Sequence, residues 1–340
     1  MGISRWLRRG TPGRRDPLAG ARHVVVLGGG TGMSTALRGL KRRGLRITAI
    51  VSMADDGGSS GVLRERLGIP PVGDLRNCLI ALADAEPTAG VVLQHRLPTE
   101  AGSTRGHPIG NLLLAAAIAE EGGDLERGVE RVHRILQVRG RVVPATAIAT
   151  RLRGRTRSGV IIHGQAALAR TRGIAGVELE PTDVAATPSA VEAIRTADLL
   201  VLGPGSLYTS VIPHLLVPGI RIALVRRRAP LVWVANVDEQ EGETEGMDLE
   251  AHVEALYAHG GDGVIDAILA AAPLRGRRRE QIGTPVHPAY RDEEGRSRPR
   301  ELPPLIVRDI ISRLRPHLHD AARLGAAIDG LHVTGPHAVR

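Results

Sequence analysis

The sequence predicts a Rossmann-like α/β fold with a mainly parallel sheet. Three observations carry this. Short apolar runs alternate along the chain with helical stretches, the pattern of strands joined by crossover helices. The first run, HVVVLGGGTG over 23–32, reads as a buried strand entering a glycine turn. And the chain has no Phe and only 1% aromatic residues, so its core must be built from Val, Leu, Ile and Ala. Such a core suits parallel strands covered by helices on both faces.

The elements follow in order. Residues 1–21, rich in Arg, Gly and Pro, read as a disordered basic tail. After the first strand a helix runs from Met33 to Arg43 and is stopped by Gly44. A second strand spans 46–53, with a loop over 54–61; this strand–helix–strand unit is a right-handed crossover. A helix over 73–84 takes Asp74 as its N-cap, another begins near Asn111, and a third covers about 124–137. Residues 146–168 read as two alternating strands around Ser158–Gly159. A helix (188–197), two buried strands (198–206 and 231–236), a helix (248–258) and a strand (264–270) complete a ligand-binding domain over 22–272. The Arg- and Pro-rich stretch 273–304 reads as a flap or linker. Residues 305–340 read as an extension packing on the main domain, with a helix and a terminal strand.

The 340 residues carry a formal net charge of +9, and Lys41 is the only lysine among the basic residues. A basic balance favours anionic partners, although much of it lies in the tail and in the stretches 275–279 and 291–300. Arg151, Arg153, Arg155 and Arg157 alternate, which in a strand turns all four to one face. The arginine runs lack interleaved aromatics, so no specific nucleic-acid binding is expected. A single cysteine, Cys78, excludes an internal disulfide and reads as a small core residue. No apolar run approaches the ~20 residues of a membrane span, and no signal core follows the basic start, so a cytoplasmic protein is expected.

Four motifs carry chemistry. In LGGGTGMS (27–34) a strand, a glycine loop and a helix stand in the order a phosphate site needs, with Gly29, Gly30, Thr31 and Gly32 at the helix start. Met33 stands where the dinucleotide fingerprint has its third glycine, which argues against a nicotinamide oxidoreductase. In MADDGGSSG (53–61), Asp55 and Asp56 fall at the carboxyl end of the second strand. There they can meet ribose hydroxyls or hold Mg²⁺ beside phosphate oxygens, with Ser59 and Ser60 as added donors. LGPGSLYTS (202–210) offers Gly203, Gly205 and Ser206 as a second anion cradle. RGHPIGN (105–111) offers His107 to a phosphate and Asn111 to a base or ribose, with helix capping as the plainer role. Asn77, beside Asp74 and Arg76, suits either a loop-fixing network or a ligand contact. HLHD (317–320) has metal-capable residues but reads as surface or core edge.

Taken together these motifs resemble the YvcK, or gluconeogenesis factor, family and its relative CofD, the 2-phospho-L-lactate transferase. The likeness rests on VVVLGGGTGMSTALRGLK, ITAIVSMADDGGSSGVLRERLGIPPVGDLRNCLIALAD, GHPIGNLLLAA, ADLLVLGPGSLYTSVIPHLLVPGI and GETEG, in order over roughly 22–270. It implies a three-layer, CofD-like fold and a ligand of the UDP-sugar kind, such as UDP-N-acetylglucosamine. It implies a regulator linking carbon metabolism to cell-wall synthesis and cell shape, with a protein partner in envelope synthesis and a homo-oligomeric form. The alternative is a CofD-like, Mg²⁺-dependent transferase of phosphorus-containing groups. By motif matching, Gly29, Gly30, Thr31, Asp55, Asp56, Asn111, Gly203 and Ser206 are the ligand-site counterparts. The chain departs from the family at NVDEQ (236–240), where acidic Asp238 and Glu239 replace neutral residues. It departs again at Leu318, where the family carries Arg before His319 and Asp320.

Overall fold

A computed structural model describes residues 20–98, 106–272, 289–291, 297–299, 302–333 and 335. Most of the expected tail and most of the 273–304 segment lie outside these residues.

Strand β1 (His23–Gly28) is buried along its whole length and leads into α1 (Gly30–Lys41). Then come β2 (Arg46–Val51), α2 (Gly58–Leu67), α3 (Gly73–Leu82), α4 (Glu86–Gln94), α5 (Ile109–Glu120), α6 (Leu125–Leu136) and β3 (Arg141–Pro144). A small layer follows: β4 (Arg151–Thr156), β5 (Ile161–His163), α7 (Gln165–Leu168) and β6 (Ile174–Glu180). The chain returns through α8 (Pro188–Arg195) to β7 (Leu199–Leu202), a π-turn at Leu207–Val211, α9 (Ile212–Leu216), α10 (Pro218–Val225) and β8 (Leu231–Val234). It ends through α11 (Leu249–Leu256), β9 (Ala267–Ala271), β10 (Ala289–Arg291), β11 (Ser297–Pro299), β12 (Leu305–Arg308) and α12 (Ala321–Asp329).

Seven strands form one sheet in the order β12-β9-β8-β7-β1-β2-β3, and every neighbouring pair is parallel. The pleat of β1 divides the interior. Val24 and Val26 pack with α1, α3, α5, α6 and α12, whereas Val25 and Leu27 pack with α8 to α11 and the small β4–β6 sheet. The result is three layers around two apolar cores. From β1 the chain winds outward to β2 and β3, then restarts at β7 on the other side of β1 and winds outward to β12. The β1–β7 junction is therefore a topological switch point, where ligands bind beyond the carboxyl ends of the strands.

Several expectations are corrected. The loop expected over 54–61 is in its second half the start of α2, hidden by a Gly-Gly-Ser-Ser run and an almost unpatterned helix surface. Val72, not Asp74, caps α3; the Asp74 side chain is turned to the Gly30 N–H. In the C-terminal segment the strand precedes the helix. β12 extends the main sheet beside β9, and α12 lies on α1. Three of the four alternating arginines, Arg151, Arg153 and Arg155, share one direction of β4, with Leu152 and Gly154 buried between them, whereas Arg157 lies in the turn beyond the strand and a register shift. Among the described residues no single helix is long and apolar enough to cross a membrane.

The α1–α12 crossing depends on glycine. A Cβ on Gly39 would lie 1.9 Å from the Ala321 carbonyl oxygen and 2.9 Å from backbone atoms of Gly325. Neither neighbour can swing aside. Gly39→Ala is therefore expected to cost about 2–3 kcal/mol, read as a lower denaturation midpoint with unchanged slope.

Candidate functional site

The loops after β1 and β7 meet at the switch point because Gly32 lacks a side chain. A Cβ there would stand 2.6 Å from the Pro204 carbonyl oxygen and 3.1 Å from the Gly205 nitrogen. Gly30 adopts φ +63° as the chain turns into α1. A cavity of about 500 Å³ opens over this junction, walled by the first turn of α1, the 204–210 segment, the 236–240 loop after β8 and residues 317–319.

One side of the cavity donates. The Thr31 and Gly32 N–H groups lie in the first turn of α1, where no intrahelical acceptor exists, and the helix dipole adds positive charge. The Ser206 and Ser210 hydroxyls face them from the β7 loop. Behind the second expected cradle of Gly205 and Ser206, the next N–H groups are already taken. Both Tyr208 and Thr209 donate their backbone N–H to Glu243 Oε1, at 2.6 and 3.0 Å, and the Thr209 hydroxyl donates to Oε2 at 3.0 Å. Burial raises the Glu243 carboxyl above the usual range. The hydroxyl of Ser206 remains for a ligand, but the N–H groups behind it do not. Gly203 stands at φ +79° at the head of this turn and does not line the cavity.

The two adjacent carboxylates of the sequence motif part company. Asp55 faces the cavity, with Oδ1 accepting the Gly57 N–H at 2.9 Å. Asp56 is turned away and caps α7, accepting the N–H of Gln165 at 3.0 Å and of Ala166 at 2.9 Å. Both its oxygens are engaged at α7 and it does not line the cavity, so the structure does not place it with Asp55 as a metal ligand. Asp74 takes that place on the wall. Burial pushes its carboxyl up to about 6, with a further rise from the Asp55 charge, against a hydrogen bond from the Gly30 N–H. The folded state thus holds this proton more tightly than the unfolded chain. The stability it contributes is complete below pH 4 and is lost as pH rises through about 6. Asp74→Asn is expected to flatten that stretch of the stability–pH curve and to stabilise the ligand-free protein at pH 8 by about 1–2 kcal/mol.

Ser59, Asn77, His107 and Asn111 form a network outside the cavity wall. Arg76 joins two of them, donating to Asn111 Oδ1 at 2.7 Å and to Asn77 Oδ1 at 3.0 Å. Asn111 Nδ2 donates to Ser59 Oγ at 2.8 Å, which turns the Ser59 hydroxyl proton toward His107 Nδ1 at 2.7 Å. Burial lowers the His107 pKa, so the ring is a neutral acceptor. Ser60 Oγ accepts the Gly73 N–H at 3.1 Å and ties α2 to α3. These residues fix the frame that holds Asp74. Of the expected ligand residues, Gly29, Gly30, Thr31, Gly32, Asp55, Gly205 and Ser206 line the cavity.

The sequence left Asp74 open between a loop-fixing network and a ligand contact, and marked 236–240 and 318–320 only as departures from the family pattern. The strand-end rule that located Asp55 would also have located Asn236–Gln240 after β8. His317 is exposed and His319 half-buried, in keeping with a surface or core-edge place, and both line the cavity. The charge of the wall agrees with a basic excess held mostly in surface and tail. The described lining carries Asp55, Asp74, Asp238 and Glu239 but no Arg or Lys, so the basic excess lies elsewhere.

Comparison with known proteins places this geometry. Residues 24–297 match the family model described as 2-phospho-L-lactate transferase CofD. The chain belongs to the CofD family. Within it the chain is similar to proteins named gluconeogenesis factor. It is 47% identical over 249 residues to that of Halalkalibacterium halodurans, covering 73% of this chain and 77% of the relative. It is 43% identical over 247 residues to that of Bacillus subtilis, covering 72% and 77%. A crystal structure of a upf0052 family member from Bacillus halodurans superposes with a TM-score of 0.77 at 38% identity, covering 91% of this chain and 98% of the other. The CofD match takes in both loops of the switch point and the 236–240 wall, while residues 317–319 lie beyond it.

Proposed function

We propose that this CofD-family protein binds a UDP-sugar, of which UDP-N-acetylglucosamine is the leading candidate, and couples carbon metabolism to cell-wall synthesis and cell shape through a protein partner. A cytoplasmic homo-oligomer is the form we expect. The observation that carries the binding reading is the pair of N–H groups at Thr31 and Gly32, which lie in the first turn of α1 without intrahelical acceptors, in residues that line a polar cavity at the switch point. The regulatory reading is supported by the relatives named gluconeogenesis factor.

The acidic wall bears on Mg²⁺. Among the described residues no three metal-capable side chains converge, so a cage made by protein alone is not supported. Two carboxylates beside a phosphate cradle do suit Mg²⁺, which is commonly held by one or two carboxylates together with phosphate oxygens. Asp55 and Asp74 would hold it, and the ion would supply the positive charge that the wall lacks. The same pair favours a second reading, a CofD-like transfer of a phosphorus-containing group.

Calorimetric titration with UDP-N-acetylglucosamine, with and without Mg²⁺ and with UDP and NAD as comparators, tests the first reading. Saturable binding that Mg²⁺ strengthens is expected, and Asp55→Ala should weaken it about tenfold without lowering the melting temperature. No binding at millimolar UDP ligands would end the proposal. Mg²⁺-dependent turnover of a phosphoryl-ester donor would move the protein to the transferase reading.

A further inference from the structure

A second cavity, of about 600 Å³, lies between the β4–β6 sheet, α9, α10 and the turn after α11, and shares no lining residue with the switch-point cavity. The strand register explains its charge. Arg151 stands opposite Glu180 and Arg153 opposite Glu178, and Arg153 and Glu178 form an ion pair. Next in the row, Arg155 stands opposite Gly176 on β6 and Ile161 on β5, so the cross-strand carboxylate is missing at that step. His259 stands over the gap: a Cβ on Gly176 would lie 3.4 Å from its Nε2. That Nε2 accepts the Val177 N–H at 2.9 Å, and Nδ1 donates to the Ala255 carbonyl at 2.6 Å. Burial lowers the His259 pKa, so the ring is neutral and adds no charge. From the helical wall, Arg221 of α10 lies across Gly260, where a Cβ would meet its Cδ at 3.0 Å and a terminal nitrogen at 3.6 Å. Arg155 and Arg221 are exposed, and among the described residues neither has an ion-pair partner. Glu178 is the only carboxylate of the described lining, and Arg153 holds it. Two uncompensated positive charges therefore face one concavity, beside an apolar surface of Ile161, Leu216 and Pro218.

We infer that this cavity is a second ligand site, in which Arg155 and Arg221 grip the phosphate of a small phosphate monoester and the apolar surface takes its body. A phosphate monoester carries close to two negative charges at neutral pH, which matches the surplus. Guanidinium forks bind such a group through paired, charge-assisted hydrogen bonds. The site does not depend on what the switch-point cavity binds. It gives a role to the arginine of the β4 row that its own sheet leaves unpaired.

Calorimetric titration of the full chain with phenyl phosphate tests this, with inorganic phosphate as the comparator that lacks a body. Phenyl phosphate is expected to bind tighter than inorganic phosphate. Arg155→Gln and Arg221→Gln should each weaken it about tenfold, the worth of a charge-assisted hydrogen bond, with unchanged melting temperatures because both side chains are exposed. Arg226→Gln removes the same charge from the end of α10, outside the cavity, and should change the affinity less than about twofold. The glycine loop is a competing place for phosphate, and the arginine variants separate the two. Equal affinity in wild type and the Arg155→Gln/Arg221→Gln double variant would assign the phosphate to the glycine loop and overturn the second site. A loss in Arg226→Gln as large as in Arg221→Gln would reduce the effect to general surface charge and overturn it too. Inorganic phosphate binding tighter than phenyl phosphate would rule out the ester.

Discussion

Gly32→Ala is expected to abolish measurable ligand binding and to cost about 2–3 kcal/mol of stability. The added methyl would meet the Pro204 carbonyl oxygen at 2.6 Å and its carbon at 2.9 Å, both backbone atoms in the β7 loop. Relief requires the two loops to part, and these loops are the two sides of the donor end of the cavity. Neighbouring glycines give internal comparisons. A Cβ on Gly29 would meet Asp74 Oδ2 at 2.6 Å, the far end of a side chain that can rotate, so Gly29→Ala should disturb Asp74 more than the fold. A Cβ on Gly28 would meet nothing closer than Met33 at 3.5 Å, an ordinary contact, so Gly28→Ala should be mild. Denaturant midpoints and UDP-N-acetylglucosamine titrations across the series check this ranking. Tight binding by Gly32→Ala would show that the junction tolerates opening and that the cradle lies elsewhere.

The four glycines at 28–30 and 32 look alike in sequence, and only tertiary contact ranks them. This marks the boundary of what was legible. β1, β2, β7 and β8 were readable because buried parallel strands are continuous apolar runs, and strand ends then locate loops. Gly29–Gly32, Asp55 and Ser206 followed from that rule alone. The rule could not separate Asp55 from Asp56, because which carboxylate turns inward depends on α7, a short helix more than a hundred residues away. β6 escaped because Gly176 and two glutamates interrupt its pattern, and β3 because its Arg-Val-Val-Pro is too short to signal a strand. The net charge of +9 reads mostly as surface and tails, and the cavity wall is acidic. On β4, Arg153 is paired with Glu178 of β6, so even the most regular arginine row is partly spent on its own sheet. Net charge describes the surface as a whole and not the sign of one cavity. His317 and His319 were unreadable as wall residues because β12 and the turn after it bring them back across the sheet from the far end of the chain.

Glu243→Ala is expected to cost about 3 kcal/mol and to weaken ligand binding at least tenfold, although Glu243 does not line the cavity. Its carboxylate accepts from two backbone N–H groups and one hydroxyl at the start of the π-turn, all in a buried setting. Removing it leaves three donors unpaired and frees the segment that carries Ser206 and Ser210. Glu243→Gln separates charge from hydrogen bonding. One amide oxygen can still accept both N–H groups, and the Thr209 hydroxyl can rotate to accept from the amide nitrogen. The loss should then fall to about 1 kcal/mol. Burial raises the Glu243 carboxyl, so its ionised form opposes folding as pH rises and the neutral amide escapes that cost. The gap between wild type and Glu243→Gln should therefore narrow as pH increases. A sharper test uses the idea that the protein's own carboxylate occupies an anion cradle. In Glu243→Ala the freed N–H groups should accept an external anion, so millimolar phosphate should raise the melting temperature of Glu243→Ala more than that of wild type. Equal responses of the two proteins to phosphate would mean that the turn collapses without its carboxylate. The GPGS segment would then owe its shape to Glu243 and not to a built-in capacity for anions.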